Sequence, residues 1–260
     1  MSLTRGKTDR TVVDRIQHEQ DPRLGDHITR TRIWGDAMQV LPDIFLVDGV
    51  RGANCYLVSD EAGMLAVDSG MPGQTNRITD CIRGMGRKTD DLKWIVLTHA
   101  DIDHSGSAAQ LRQQTGAKLA AHEADAQVLA GKRAGKRPKG MLGLLFGVMR
   151  RAMPMPILLV DRILAEGDTI AGWQVLHTPG HTDGSICLYR EGAILFAGDA
   201  LRCDAQGNPL LPSGAMSSDM NMAMHSVRRI AALKFDTLLV GHGAPCLQQA
   251  SQKLSEWAQP

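Results

Sequence analysis

Short apolar runs separated by turn-forming residues dominate the chain from Met38 onward. Gln39-Val40-Leu41, Ile44-Phe45-Leu46-Val47, Cys55-Tyr56-Leu57-Val58 and Met64-Leu65-Ala66-Val67-Asp68 are each too short for a stable helix and are divided by Gly, Pro, Asp and Asn. That spacing predicts a meander of strands. Ser69 to Gly73 breaks the chain, and residues 75–85 then take the apolar spacing of a helix. From there strand and helix alternate: a buried strand at Trp94-Ile95-Val96-Leu97, a helix over 108–115, a strand over 117–121 and a helix over 123–130. After Val160 a second strand-rich half begins, with Ile163-Leu164, Ile170, Trp173-Gln174-Val175-Leu176, Ile186-Cys187-Leu188-Tyr189 and Ala193-Ile194-Leu195-Phe196. A helix over 220–233, a strand over 237–240 and a helix over 248–257 close the chain. Strands followed by helices, twice over, predict an α/β fold whose two sheets stack face to face with helices outside.

Two segments stand apart from this pattern. Residues 1–35 are charged and without period, and read as an N-terminal extension preceding one domain over 36–260. Residues 131–140 are basic, residues 141–149 apolar with glycines, and Pro154 and Pro156 end the interruption. The stretch 131–157 reads either as a solvated loop with a helix packed on the body, or as a lid whose Met, Leu and Phe side chains line a pocket. A helix lying on a membrane surface is the weaker reading, because the apolar part is short and rich in Gly.

Composition narrows the class of function. With 43% apolar residues, 260 residues can bury a sizeable core. A formal net charge of +1 gives no global attraction to nucleic acid or to membranes. The cysteines Cys55, Cys81, Cys187, Cys203 and Cys246 are odd in number and form no C-x-x-C pair, which fits a reduced, cytoplasmic setting. No apolar leader and no run of 18 apolar residues occurs, so a soluble protein with a small-molecule substrate is expected, and a homodimer is left open.

The chemistry concentrates in Thr98-His99-Ala100-Asp101-Ile102-Asp103-His104, which follows a strand and precedes a turn into a helix. In an extended chain His99 and Asp101 point to one side, while Asp103 and His104, where the chain turns, can face a second point nearby. One loop could thus serve two neighbouring metal ions. Three later turns each place one more ligand type after a strand: His181 in Thr178-Pro179-Gly180-His181-Thr182, Asp199 in Ala197-Gly198-Asp199-Ala200, and His242 in Gly241-His242-Gly243. The neighbouring glycines permit tight turns and close approach. Asp68 either braces a metal-binding histidine or caps its own turn. His122, His177, His225, His18 and His27 read as structural or exposed, with His122 and His177 the two that could support ligands from behind.

In these four motifs and their order, from about Val40 to the end, the sequence resembles the metallo-β-lactamase-fold hydrolases, whose first motif is H-x-H-x-D-H, followed by a distant His, a bridging Asp and a last His. The resemblance implies a four-layer αββα sandwich. It implies that His99, Asp101 and His181 hold one divalent ion, that Asp103, His104 and His242 hold a second, and that Asp199 lies between them. Zinc is the ion favoured, with iron or manganese as alternatives, since imidazole and carboxylate suit all three and no cysteine competes. The departure is Asp101, where the family commonly has His: a carboxylate there either coordinates as a harder donor or turns outward.

The reaction implied is metal-dependent hydrolysis of an ester, thioester or lactone by a hydroxide shared between the ions, with Asp103 orienting it as the catalytic carboxylate, and a lactone favoured if 131–157 is a lid. An iron-dependent persulfide dioxygenase is the alternative, and β-lactam hydrolysis a side activity, since β-lactam-hydrolysing relatives tend to carry Cys or Ser at the position of Asp199. Glutathione thioester hydrolysis is disfavoured by the lack of a long helical segment after His242, and tRNA processing by the lack of a long flexible arm.

Overall fold

The computed structural model describes residues 37–136 and 157–258. The proposed extension, and residues 137–156 of the proposed lid, lie outside the described residues. Seven strands form the first sheet in sequence order: β1 (Ala37–Leu41), β2 (Ile44–Val47), β3 (Tyr56–Asp60), β4 (Gly63–Val67), β5 (Leu92–Val96), β6 (Lys118–His122) and β7 (Arg162–Leu164). The meander β1 to β4 is antiparallel, and β4 to β7 run parallel. The helices α1 (Thr75–Gly84) and α3 (Ala108–Thr115) supply the crossovers that parallel strands require. The second sheet has five strands, β8 (Thr169–Ile170), β9 (Trp173–His177), β10 (Ile186–Arg190), β11 (Ile194–Gly198) and β14 (Thr237–Val240), ordered β14-β11-β10-β9-β8. A small hairpin of β12 (Arg202–Cys203) and β13 (Pro209–Leu210), which the apolar pattern does not announce, lies beside it.

Strand alternation sorts the buried side chains into three layers. In β4 and β6, Met64, Ala66, Leu119 and Ala121 face α1 and α3, meeting Ile78, Ile82 and Leu111. Their neighbours Leu65, Val67 and Ala120 face the other sheet, where Trp173, Val175, Leu188, Phe196 and Leu239 meet them. In β11 and β14, Leu195, Ala197, Leu238 and Val240 turn outward onto α5 (Met220–Ala231) and α6 (Ala250–Leu254), meeting Val227, Ile230 and Leu254. Helix, sheet, sheet, helix is the αββα order expected. Trp173 and Tyr56 both stack edge-on against Phe196, at 4.9 and 5.4 Å between ring centres, in the middle layer.

One strand changes sides relative to the sequence reading. Ile163-Leu164 opens the second strand-rich half along the chain, yet β7 completes the first sheet beside β6. Asp161 accounts for this. Its N–H donates to Leu119 O, its Oδ2 accepts from Leu119 N, and its Oδ1 pairs with Arg112 of α3 at 2.8 Å. Those three contacts hold the start of β7 against β6 and α3. Among the described residues no helix is long and apolar enough to cross a membrane.

Candidate metal centre

All the sequence-predicted site residues come together at one edge of the sandwich, where the carboxyl ends of β4, β5, β9, β11 and β14 meet. His99 follows β5 after Leu97 and Thr98. Asp103 and His104 sit on a single helical turn, α2 (Ile102–Ser105), closed by His104 N–H and Ser105 N–H donating to Asp101 O at 3.0 and 2.9 Å. The sequence reading placed a simple turn here. The helical turn sets Asp103 beside His242 and His104 between Asp68 and Asp199, with its ring 3.9 Å from that of His99. His181 enters from the 178–182 loop, where Gly180 has φ +132° and a Cβ would lie 2.2 Å from the backbone nitrogen of Ala223 on α5. At Gly241 a Cβ would meet Asp199 Oδ1 at 2.5 Å and His104 Cε1 at 2.6 Å, so only glycine leaves room for those two groups.

The donor atoms fall into two overlapping sets. Asp101 Oδ2 lies 3.4 Å from His99 Nε2 and 3.2 Å from His181 Nε2. Asp103 Oδ2 lies 3.2 Å from His242 Nε2. Asp199 reaches both sets: its Oδ2 is 3.3 Å from His181 Nε2 and 3.6 Å from His242 Nε2, and its Oδ1 is 3.3 Å from His104 Nε2. A tetrahedral shell with bonds of about 2.0–2.1 Å has edges of about 3.3–3.4 Å, so this spacing suits donors around a common cation. Four buried atoms of the cluster have no hydrogen-bond partner: His99 Nε2, His104 Nε2 and Asp199 Oδ1, which are among the donors, and His181 Nδ1 behind them. Buried polar atoms are rarely left so. The donor set therefore fits divalent ions.

The electrostatics keep the carboxylates ionised and His181 neutral, while Asp68 and Asp199 raise His104 against its burial and the hydrogen bond with Asp103 raises His242. Burial alone would raise the Asp199 carboxyl, but His104, His99 and His181 outweigh it and hold the group well below the usual carboxylate range. Asp101 behaves likewise through His181 and His99. Burial pushes the His181 imidazole down to about 4, leaving its lone pair available.

Behind the donors, Asp68 does what a brace requires. Its Oδ2 accepts from His104 Nδ1 and from Thr98 Oγ1, and its Oδ1 from Thr98 N, each at 2.8 Å. Thr98 Oγ1 is 3.1 Å from His99 Nδ1. The assignment that satisfies every partner puts the protons of both imidazoles on Nδ1 and turns their Nε2 lone pairs into the site. Asn54 secures the last loop, its amide donating to Val240 O and Gly243 O at 2.9 Å. His122 and His177 make no contact with the donors; they stack on each other at 4.0 Å, and His122 caps α4 (Glu123–Leu129).

Two contributors escaped the sequence reading. Asp125, fully inside α4, accepts from Ala100 N and Thr182 Oγ1 at 2.8 Å and from Gly184 N at 3.2 Å, and so ties the His99 loop to the His181 loop. Asp125→Ala leaves those donors unpaired in a buried place and is expected to cost roughly 2–4 kcal/mol. Urea denaturation measures it; a loss under about 0.5 kcal/mol, the range of ordinary surface substitutions, would refute the tie. Lys136, in the basic stretch, brings its ammonium against Asp101 Oδ2 and His181 Nε2.

Residues 48–242 match the metallo-beta-lactamase superfamily. Among curated proteins, the chain is 27% identical over 220 residues to the probable metallo-hydrolase YflN of Bacillus subtilis (strain 168), covering 75% of this chain and 82% of that one. It is 28% identical over 202 residues to the hydroxyacylglutathione hydrolase GloC of Haemophilus influenzae, covering 74% and 85%. Among solved structures, the subclass B3 metallo-beta-lactamase BJP-1 of Bradyrhizobium japonicum superposes with a TM-score of 0.63 at 25% identity, over 87% of this chain and 92% of that one.

Proposed function

This chain belongs to the metallo-β-lactamase superfamily and is a hydrolase, and from that premise we propose that it opens a lactone or cleaves a related ester or thioester with two divalent ions, zinc foremost. The observation that carries the reading is Asp199, one carboxylate whose two oxygens reach His104, His181 and His242 at 3.3 to 3.6 Å. His99, Asp101 and His181 would hold one ion, Asp103, His104 and His242 the other, and Asp199 would be shared. Ions held there would supply Lewis acidity toward a carbonyl oxygen and acidify water enough to make a nucleophile near neutral pH.

The chain's own residues do the rest. Asp103, half-buried and beside His242, accepts a proton of the attacking water and so orients it. Asp68 keeps His104 and His99 in the tautomer that presents Nε2. The water's proton passes from Asp103 to the leaving oxygen or sulfur, which faces the open side of the site, where Asp103 and His242 are the more exposed members.

A lactone is favoured by the apolar stretch 141–149, which is the part of the sequence suited to covering an acyl chain. A thioester is the second reading. A long helical segment after His242 is not needed for it, since the GloC relative is matched over 85% of its own length. A panel of short- and long-chain lactones, a glutathione thioester, a simple ester and a β-lactam, run on zinc-loaded protein, decides among them. The expected result is kcat/KM rising with lactone chain length and exceeding the β-lactam by about tenfold or more. A flat chain-length profile would sink the lactone reading, and oxygen uptake with glutathione persulfide would replace hydrolysis with the dioxygenase alternative.

A further inference from the structure

The basic stretch after α4 reads, by composition, as solvated charge. Lys136 contradicts that: its side chain is 7% exposed, and its Nζ donates to Asp101 Oδ2 and lies against His181 Nε2. Those two atoms are 3.2 Å apart and belong, with His99 Nε2, to the first donor set. The residue is also held there by its own chain. Gly131 N donates to Val128 O at 3.0 Å, and Lys132 N and Arg133 N donate to Gln127 O at 2.9 and 3.1 Å, closing the carboxyl end of α4. The Arg133 guanidinium pairs with Asp183, two residues beyond His181.

The chemistry of this contact is exclusive. An ammonium has donors and no acceptor, so it takes the same lone pairs a metal ion would take. His181 Nε2 has one lone pair. It can serve Lys136 or a metal, and two cations at contact distance repel. Asp101 makes the ammonium a strong competitor, because a carboxylate offers it a full opposite charge where a histidine would offer only a neutral nitrogen. The departure from the family pattern at Asp101 and the burial of Lys136 therefore fit each other. The second donor set has no such rival: among the described residues, the ion-pair contacts of Asp103 and Asp199 are all with histidines.

We infer that Lys136 is an internal cation that competes with metal for the His99–Asp101–His181 set, so that the Asp103–His104–His242 set loads first and the other only when Lys136 withdraws. This rests on the metal-hydrolase reading above.

Titration of metal-depleted full-length protein with Zn²⁺ at fixed pH and ionic strength, followed by calorimetry and by elemental analysis, tests it without any substrate. The wild-type chain is expected to bind one equivalent tightly and the second more weakly. Lys136→Met is expected to tighten the second equivalent by about ten- to hundredfold while leaving the first within about threefold. Lys136→Arg, which keeps the charge, is expected to retain the weak second step, and Lys136→Gln repeats the test should the Met variant not fold. Two unchanged constants in Lys136→Met, or a Lys136→Arg variant that behaves as the Met variant does, would overturn the inference alone. A wild-type chain that binds no zinc would overturn the metal-hydrolase reading and this inference with it.

Discussion

Asp199→Ala is expected to lower kcat/KM by about a thousandfold or more and to leave the purified protein depleted of metal. Asp199 is 9% exposed, directly follows Gly198 at the end of β11, and is the one carboxylate whose two oxygens meet histidines of both sets. Asp101 and Asp103 each meet histidines of a single set, so the loss of either would leave the other set's carboxylate in place. Charge compounds the effect. Burial works against an ionised Asp199, yet His104, His99 and His181 hold it ionised far into acid; the methyl group of alanine would remove the anion around which those imidazoles are arranged. Without it, ions held at the two sets would lose the one carboxylate that meets histidines of both, and affinity at both sets should fall together. A partner residue beyond the ligands typically shifts metal affinity 10–100-fold, and the shared carboxylate should exceed that. Elemental analysis beside the kinetics gives the decisive reading: a variant verified to hold the wild-type metal content and working at the wild-type rate would remove Asp199 from the site. Thermal melting adds an independent one, since excess zinc should raise the Tm of the wild-type chain and scarcely that of the variant.

The layers and the seven donor candidates were legible because both are local. A strand shows itself by alternation over a few residues, and each candidate follows such a run, so β5, β11 and β14 announce His99, Asp199 and His242. What stayed hidden depends on partners far along the chain. Nothing within reach of Ile163-Leu164 says which sheet it joins; Asp161 decides that through Leu119 and Arg112, more than 40 residues earlier. Asp125 looks like one more polar position on a short helix until Ala100 and Thr182 are found to donate to it. Lys136 is hardest of all, since its neighbours Lys132 and Arg133 carry the same charge and are exposed. The same distance explains why Asp101 resisted a reading from the first motif alone: whether its carboxylate faces a metal, a lysine or solvent is settled by residues 35 and 80 positions away.

Asp68→Asn is expected to weaken zinc binding by about ten- to hundredfold while sparing most of the fold, because it changes one hydrogen-bond direction and little else. Asp68 has φ +62°, a left-handed backbone that Asn tolerates nearly as well, so the turn after β4 survives. The new carbonyl oxygen can still accept from Thr98 N in the place of Oδ1. The amide NH₂ then stands where Oδ2 accepted from His104 Nδ1 and Thr98 Oγ1. A donor now faces both. His104 must accept at Nδ1, its proton moves to Nε2, and that nitrogen, 3.3 Å from Asp199 Oδ1, no longer offers a lone pair. Thr98 Oγ1, with its acceptor gone, turns its own proton toward His99 Nδ1 at 3.1 Å and imposes the same exchange there. One substitution thus reverses a ligand in each set. Asp68→Ala should weaken metal as well, but with a loss of stability of roughly 3–5 kcal/mol, because it breaks a buried pair with His104, 0% exposed, and leaves Thr98 unpaired. Comparing the two separates orientation from support: equilibrium dialysis reads the affinity, nitrogen NMR of the imidazoles reads the tautomer, and urea denaturation reads the stability. An Asn variant with wild-type zinc affinity, or with both imidazoles still protonated at Nδ1, would show that Asp68 supports the turn and leaves the ligands to orient themselves.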